Sequence, residues 1–324
     1  MNVLFIGSSK YDYLQDLTYN GLVKVLGRSS VVEAKTIFRY HFPLKKYPKD
    51  LGYQGMDFSF ITKRNSCKFD IVFVASAKPD CFAIYERLLP TLPTSVKTVF
   101  IDGGDNPAIG GDFTRLKCPE QYERVHALRP FDYIFKREYL KKNSYADHVF
   151  PLPFSVQTSR YPNIPEGTYK YDVAFWAVES HPIRTKVLDL IQDRFDCAAN
   201  GSMRNQDFHN YSRKGRFYFE ELKKTKISLN FRGTGWDTLR YWEIMGLKSF
   251  MISQRLQIEI PNDYIEGKEI IYCSDDLSDL DDLCHFYLNN DSLRKEIAEK
   301  AYAKTMEFHT VENRANYILK KIKL

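Results

Sequence analysis

"ISLNFRGTGWDTLRYWEIMGLKSFMIS", residues 227–253, holds one complete repeat of the architecture. The apolar run 227–231 reads as a buried strand. Gly233 and Gly235 then open a loop, residues 239–245 follow a helical pattern, and after Gly246 the run 249–253 reads as a second strand. Strand, glycine bend, helix and strand make the unit from which parallel sheets with helices on their faces are built. The bend also suggests a ligand. Glycine lets a backbone come close to a bound group. Thr238 or Asp237 can cap the helix, and the free N–H groups of a helix start favour an anion. Arg232 and Arg240 add positive charge, and a guanidinium can hold a phosphate through two hydrogen bonds. Glu243 is the odd member of the group. A carboxylate beside an anion makes sense where it accepts hydrogen bonds from neutral groups such as ribose hydroxyls; the plainer reading is an Arg240–Glu243 pair on an ordinary helix.

The same grammar extends outward. Residues 2–9 form an apolar run ending in Gly and Ser, 11–27 carry helical periodicity, and 30–34 read as the next strand. Strands at 69–76, 96–105, 131–139 and 148–155 and a helix at 81–92 continue the series. Residues 156–169 lack periodicity and carry two prolines, which marks a linker. A second series follows, with strands at 171–177, 196–200, 227–231, 249–253 and 269–273, and helices at 182–195 and 216–225. Helical patterns at 277–290, 291–308 and 311–324 end the chain. The expected class is α/β: two Rossmann-like doubly wound domains facing a central cleft, at 1–155 and 170–308, with a closing helix at 309–324.

The bulk numbers agree with a globular protein of that size. The chain has 324 residues, 44% hydrophobic and 27% charged, with aromatics high at 15%. A net charge of +6 suits an anionic ligand or loose attraction to an acidic membrane surface. It does not point to nucleic acid, and neither an arginine-rich arm nor zinc-finger spacing is present. Six scattered cysteines without a CxxC read as reduced thiols. The opening "MNVLFIGSSKYDYL" lacks the apolar length and the cleavage site of a secretion signal. The expected location is cytoplasmic, at most peripheral to the inner membrane face. The histidines form no metal triad, no clear D-x-D occurs, and the acidic run 274–283 reads as a helix start, so no metal or other cofactor is expected.

From residue 225 onward the chain resembles a known family. Arg240/Glu243/Gly246, Glu266/Gly267/Glu269/Tyr272, Asp275/Asp276, Arg294/Ile297/Ala298 and His309/Thr310/Arg314 follow one another with the right gaps. This order is similar to the C-terminal half of bacterial glycosyltransferases of the GT-B architecture, in the family 1-like set that includes the spore-maturation CgeB-like proteins. The resemblance implies a metal-independent enzyme with a nucleotide-sugar donor in the C-terminal domain. Glu243 would contact the donor's ribose or sugar. Arg232 and the loop with Gly233, Thr234 and Gly235 would lie along the diphosphate, with Arg184 adding to the phosphate site. Retaining relatives carry a second glutamate eight positions before the first; here that position is Gly235.

The resemblance further implies that the N-terminal domain binds a glycan or lipid-linked acceptor and, in an inverting enzyme, supplies a base. Asp102 and Asp105, on a Gly-Gly turn after a strand, are the candidates for that base. Ser8, Ser9 and Asp12 after the first strand, and Lys136 and Glu138 with Arg137 after another, are candidates to line the acceptor side. In such transferases the closing helix often returns to the N-terminal domain, which gives His309 a hinge role in preference to a chemical one. Two other readings remain: a sugar-nucleotide epimerase or hydrolase of the same fold, and a non-catalytic protein on a transferase scaffold.

Overall fold

The structure is a computed structural model that describes residues 1–44, 47–56, 68–161, 163–164, 169–192, 194–196 and 215–322. It divides into two compact units. Unit 1 comprises Met1–Phe154, Ile258–Pro261 and Val311–Leu324; unit 2 comprises Ser155–Gln257 and Asn262–Thr310. Both are α/β with parallel sheets, as the sequence predicts.

In unit 1, β1 (Val3–Ile6), β2 (Val31–Glu33), β3 (Ile71–Val74), β4 (Lys97–Asp102), β5 (Tyr133–Lys136) and β6 (Val149–Pro151) pair in the order β2-β1-β3-β4-β5-β6. Every pairing is parallel. Parallel strands covered on both faces read as unbroken apolar runs, and Val3–Ile6 and Ile71–Val74 are buried throughout. The winding direction reverses between β1 and β3. In such sheets ligands bind beside the carboxyl ends of the strands at that point. Helix Tyr13–Leu26 starts on an Asp12 cap and stops at Gly27, whose φ of 82° suits glycine. The closing helix Val311–Ile322 lies so close to it that a Cβ on Gly21 would meet the Val311 carbonyl oxygen at 2.2 Å. Phe82, Phe100, Phe113 and Phe131 pack edge-to-face or stacked in the core.

In unit 2, β7 (Tyr171–Ala174), β8 (Thr225–Asn230), β9 (Met251–Gln254) and β10 (Ile271–Cys273) pair in the order β10-β9-β8-β7, again parallel. Val173, Phe175, Ile227, Leu229, Phe231 and Ile252 fill its core. The strand expected at 196–200 falls mostly outside the described residues.

Several elements depart from the sequence reading. Helix Glu120–Leu128 went unread, because only Gln121, Tyr122 and Val125 are buried and the apolar signal is thin. Ile258–Pro261 joins unit 1 through a bond from the Glu259 N–H to the Tyr139 carbonyl at 2.8 Å. Val156, in the expected linker, bridges to Thr310 within unit 2.

Candidate functional site

The unit 2 site is built on the carboxyl end of β8. Helix Leu239–Gly246 begins at Thr238, whose hydroxyl accepts from the Tyr241 N–H at 3.4 Å and donates to Asn230 Oδ1 at 2.8 Å. Thr238 is thus the cap. Asp237 instead accepts from the Trp242 indole N–H at 2.8 Å. Between strand and helix, the Gly233 N–H donates to the Gly235 carbonyl at 3.1 Å and tightens the bend. A Cβ on Gly233 would stand 3.1 Å from Arg184 and 3.2 Å from Ser180 Oγ, so glycine lets these segments close up.

Three arginines converge here, and each donates to backbone carbonyls. Arg232 donates to the Gly233 carbonyl at 3.3 Å and the Thr234 carbonyl at 2.9 Å, and lies 4.1 Å above the Trp236 ring. It is only half-buried, and Thr234 is exposed. Arg240 donates to the Trp176 carbonyl at 2.7 Å and stacks 5.0 Å from Phe175. Arg184 donates to the carbonyls of Arg232 and Val178 at 2.8 Å, of Phe231 at 3.1 Å, and to Ser180 Oγ at 3.1 Å. Arg184 and Arg240 are 5% and 3% exposed. Their guanidiniums stitch the ends of β7 and β8 together.

Glu243 is 1% exposed, and its Oε2 accepts from Tyr218 Oη at 2.7 Å. It sits within the wall of the site and not on an ordinary helix surface. His181 and Ser180 were missed as site residues. His181 caps helix Pro182–Ile191 by accepting the Ile183 N–H on Nδ1 at 3.2 Å, which leaves the proton on Nε2 of the neutral ring. Burial, then Arg232 and Arg184, hold its pKa below the usual histidine value. The signal was present in the sequence, since a polar residue before a proline at the first helical position marks a cap.

Unit 1 carries its candidates at the ends of β1, β4 and β5. Ser8 is buried and donates to both Asp80 oxygens, at 2.8 and 3.0 Å; Ser9 is exposed. Asp12 accepts from the Gln15 N–H at 3.2 Å and from Ser76 Oγ at 2.5 Å. A Cβ on Gly103 would stand 2.8 Å from Asp12, so the two loops touch. Asp102 is fully buried. It pairs with Lys136 Nζ at 3.0 Å and accepts from the N–H groups of Gly104 and Gly110 at 3.3 and 2.9 Å. These bonds tie Asp102 to both ends of the 103–110 loop. Lys136, equally buried, is its counter-ion and does not line a surface; Glu138, 1% exposed, lies 3.5 Å from Arg137. Asp105 keeps 29% exposure and is bonded by Arg137, with Arg115 at 3.8 Å. His309 is fully buried in unit 2, against Trp242 and Tyr264, with Nε2 3.2 Å from the Asn262 carbonyl oxygen. Among the described residues, no group of three His, Cys, Asp or Glu is placed to hold a metal ion.

Residues 183–320 match the family described as glycosyl transferase-like. A search of the curated proteins found no match. Among solved structures, Anabaena Alr3699/HepE in complex with UDP-glucose superposes with a TM-score of 0.64 at 10% identity, covering 100% of this chain and 99% of that one. An alpha-glucosyltransferase in complex with UDP and a 13-mer DNA gives 0.62 at 9% identity, with 99% of each chain covered. Sucrose-phosphate synthase from Thermosynechococcus elongatus gives 0.59 at 9%, covering 100% and 98%. Identities this low speak for a shared fold alone, the GT-B fold, and the family match covers residues 183–320.

Proposed function

We propose that this chain, a glycosyltransferase by its C-terminal family domain and GT-B by its fold, moves a sugar from a nucleoside diphosphate sugar to a hydroxyl of a cell-surface glycan or a lipid-linked acceptor. The observation that carries this reading is the glycine bend after β8, where Arg232 lies half-buried beside the start of helix Leu239–Gly246. The N–H groups of that helix start and the Arg232 charge stabilise the diphosphate as it leaves, the task a divalent ion performs in metal-dependent enzymes. Glu243, held by Tyr218, accepts from the ribose hydroxyls. Asp105, the base candidate that keeps partial exposure, takes the acceptor's proton in an inverting reaction. The solved relatives in complex with UDP or UDP-glucose support a uridine donor.

The test pairs donor screening with product analysis. A nucleoside diphosphate from a small panel raises the melting temperature, and glycosylated acceptor then appears in the presence of a chelator. Free sugar alone, or an altered sugar still on its nucleotide, would replace the transferase reading with a hydrolase or an epimerase. Asp105→Asn abolishes turnover and spares donor binding; normal turnover in that variant would move the base to Asp12. Glu243→Ala weakens nucleotide binding roughly tenfold or more, the loss typical of a buried charged hydrogen bond.

A further inference from the structure

We propose that the turn Phe38–His41 and the loops beside it form a docking surface for an anionic lipid membrane. This turn presents its aromatic ends outward while its middle is locked. Phe38 is 70% exposed and Phe42 37%, with ring centroids 5.9 Å apart. Arg39, Tyr40 and His41 between them are buried. Arg39 pairs with Asp16 at 2.7 Å, Tyr40 Oη donates to Asp16 at 2.6 Å, and His41 Nε2 lies 2.6 Å from Glu33. Burial of Asp16 raises its pKa, against the pull of Arg39. The Phe38–Phe42 pair is thus held out by a rigid base, and a rigid ring loses little entropy on entering an interface.

The neighbouring groups extend the patch. Arg39 donates to the carbonyls of Ser9 and Lys10, and its guanidinium lies 5.3 Å from the Tyr11 ring. Tyr11 is exposed, with Lys49 Nζ 4.8 Å from its centroid. The Gln54 N–H donates to the Tyr40 carbonyl at 2.9 Å, which brings in Met56, 68% exposed. Lys10 and Lys35 are exposed as well. Of the described residues from 35 to 49, Lys35, Arg39 and Lys49 are basic and none is acidic; the next acid, Asp50, is buried. Exposed Phe, Met and Tyr ringed by lysines match the acyl–headgroup boundary of an anionic bilayer. A nucleic-acid surface would present arginine forks, and the arginine here is turned inward onto Asp16.

The surface belongs to unit 1 and the proposed nucleotide site to unit 2, and each is tested separately. In vesicle flotation, the full chain is expected to float with phosphatidylglycerol-containing vesicles at low salt, and to remain below with pure phosphatidylcholine or at high salt. Phe38→Ser/Phe42→Ser/Met56→Ser should lower the bound fraction about tenfold or more, since both the inserted area and its seat are lost. Phe217→Ser/Phe286→Ser, which removes exposed rings in unit 2, should leave binding unchanged. Absence of flotation, equal flotation of the triple variant, or binding to an oligonucleotide in place of vesicles would overturn the proposal. Melting curves with and without nucleoside diphosphate show that each variant is folded. They also read the nucleotide site independently of membrane binding.

Discussion

The ends of β4 and β8 both gather charged side chains, and the partners those side chains are seen to bond differ. At β4, opposite charges cancel: Asp102 with Lys136, Asp105 with Arg137, and Asp112 with Arg115 at 2.6 Å. Burial pushes the Asp112 carboxyl up, yet the Asn106 N–H and Arg115 outweigh it and leave the pKa lowered. At β8, Arg184, Arg232 and Arg240 donate to backbone carbonyls. A neutralised end makes a firm scaffold. An end that gathers three arginines suits an anion, and the contrast is tested by what the loss of one charge does to stability and to binding.

The sharpest way to break this contrast is to unbalance unit 1. Asp102→Ala leaves Lys136 buried without its counter-ion, and the expected loss is about 3–5 kcal/mol of stability in denaturant unfolding. A variant as stable as the parent would show that β4 does not depend on this pair. The next largest effect tests unit 2. Arg232→Ala is expected to lower nucleoside diphosphate affinity ten- to a hundredfold, about 1.5–3 kcal/mol by calorimetry, while unfolding changes little. The reverse result, a large loss of stability with affinity retained, would assign Arg232 to the scaffold.

Smaller effects refine the picture. Thr238→Ala removes the cap of the helix behind the bend and should cost about 1 kcal/mol of stability. His181 gives the finest test. Its folded pKa lies below its ordinary value of 6.5, so the unfolded chain takes up that proton first. Its contribution therefore favours folding fully above that value and is lost as pH falls toward the folded pKa. Arg232→Ala, by removing a like charge, should raise the His181 pKa by a measurable fraction of a unit in NMR titration, and bound diphosphate should raise it in the parent. An unmoved His181 resonance would mean that the two residues do not share one field.

The course of the strands, the bend at 233–238 and the capped helix were legible because each follows from local pattern: apolar runs, glycines and a Thr before a periodic segment. The role of Asp102 was not. Its partner lies 34 positions on and meets it only because β4 and β5 pair in register, Asp102 opposite Lys136. Arg184 likewise reads as a helix arginine until folding brings the carbonyl of Phe231, 47 positions away, onto its guanidinium. A candidate base and a scaffold anion, or a phosphate clamp and a stitch, look alike in one dimension, since the difference lies in which oxygens are already bonded.

Diffraction from the protein bound to a nucleoside diphosphate addresses the central claim most directly. The diphosphate is expected within hydrogen-bonding distance of Arg232 and of the N–H groups at the start of helix Leu239–Gly246, with ribose hydroxyls on Glu243. Density for the nucleotide elsewhere, with the bend at Gly233–Gly235 still empty, would contradict it.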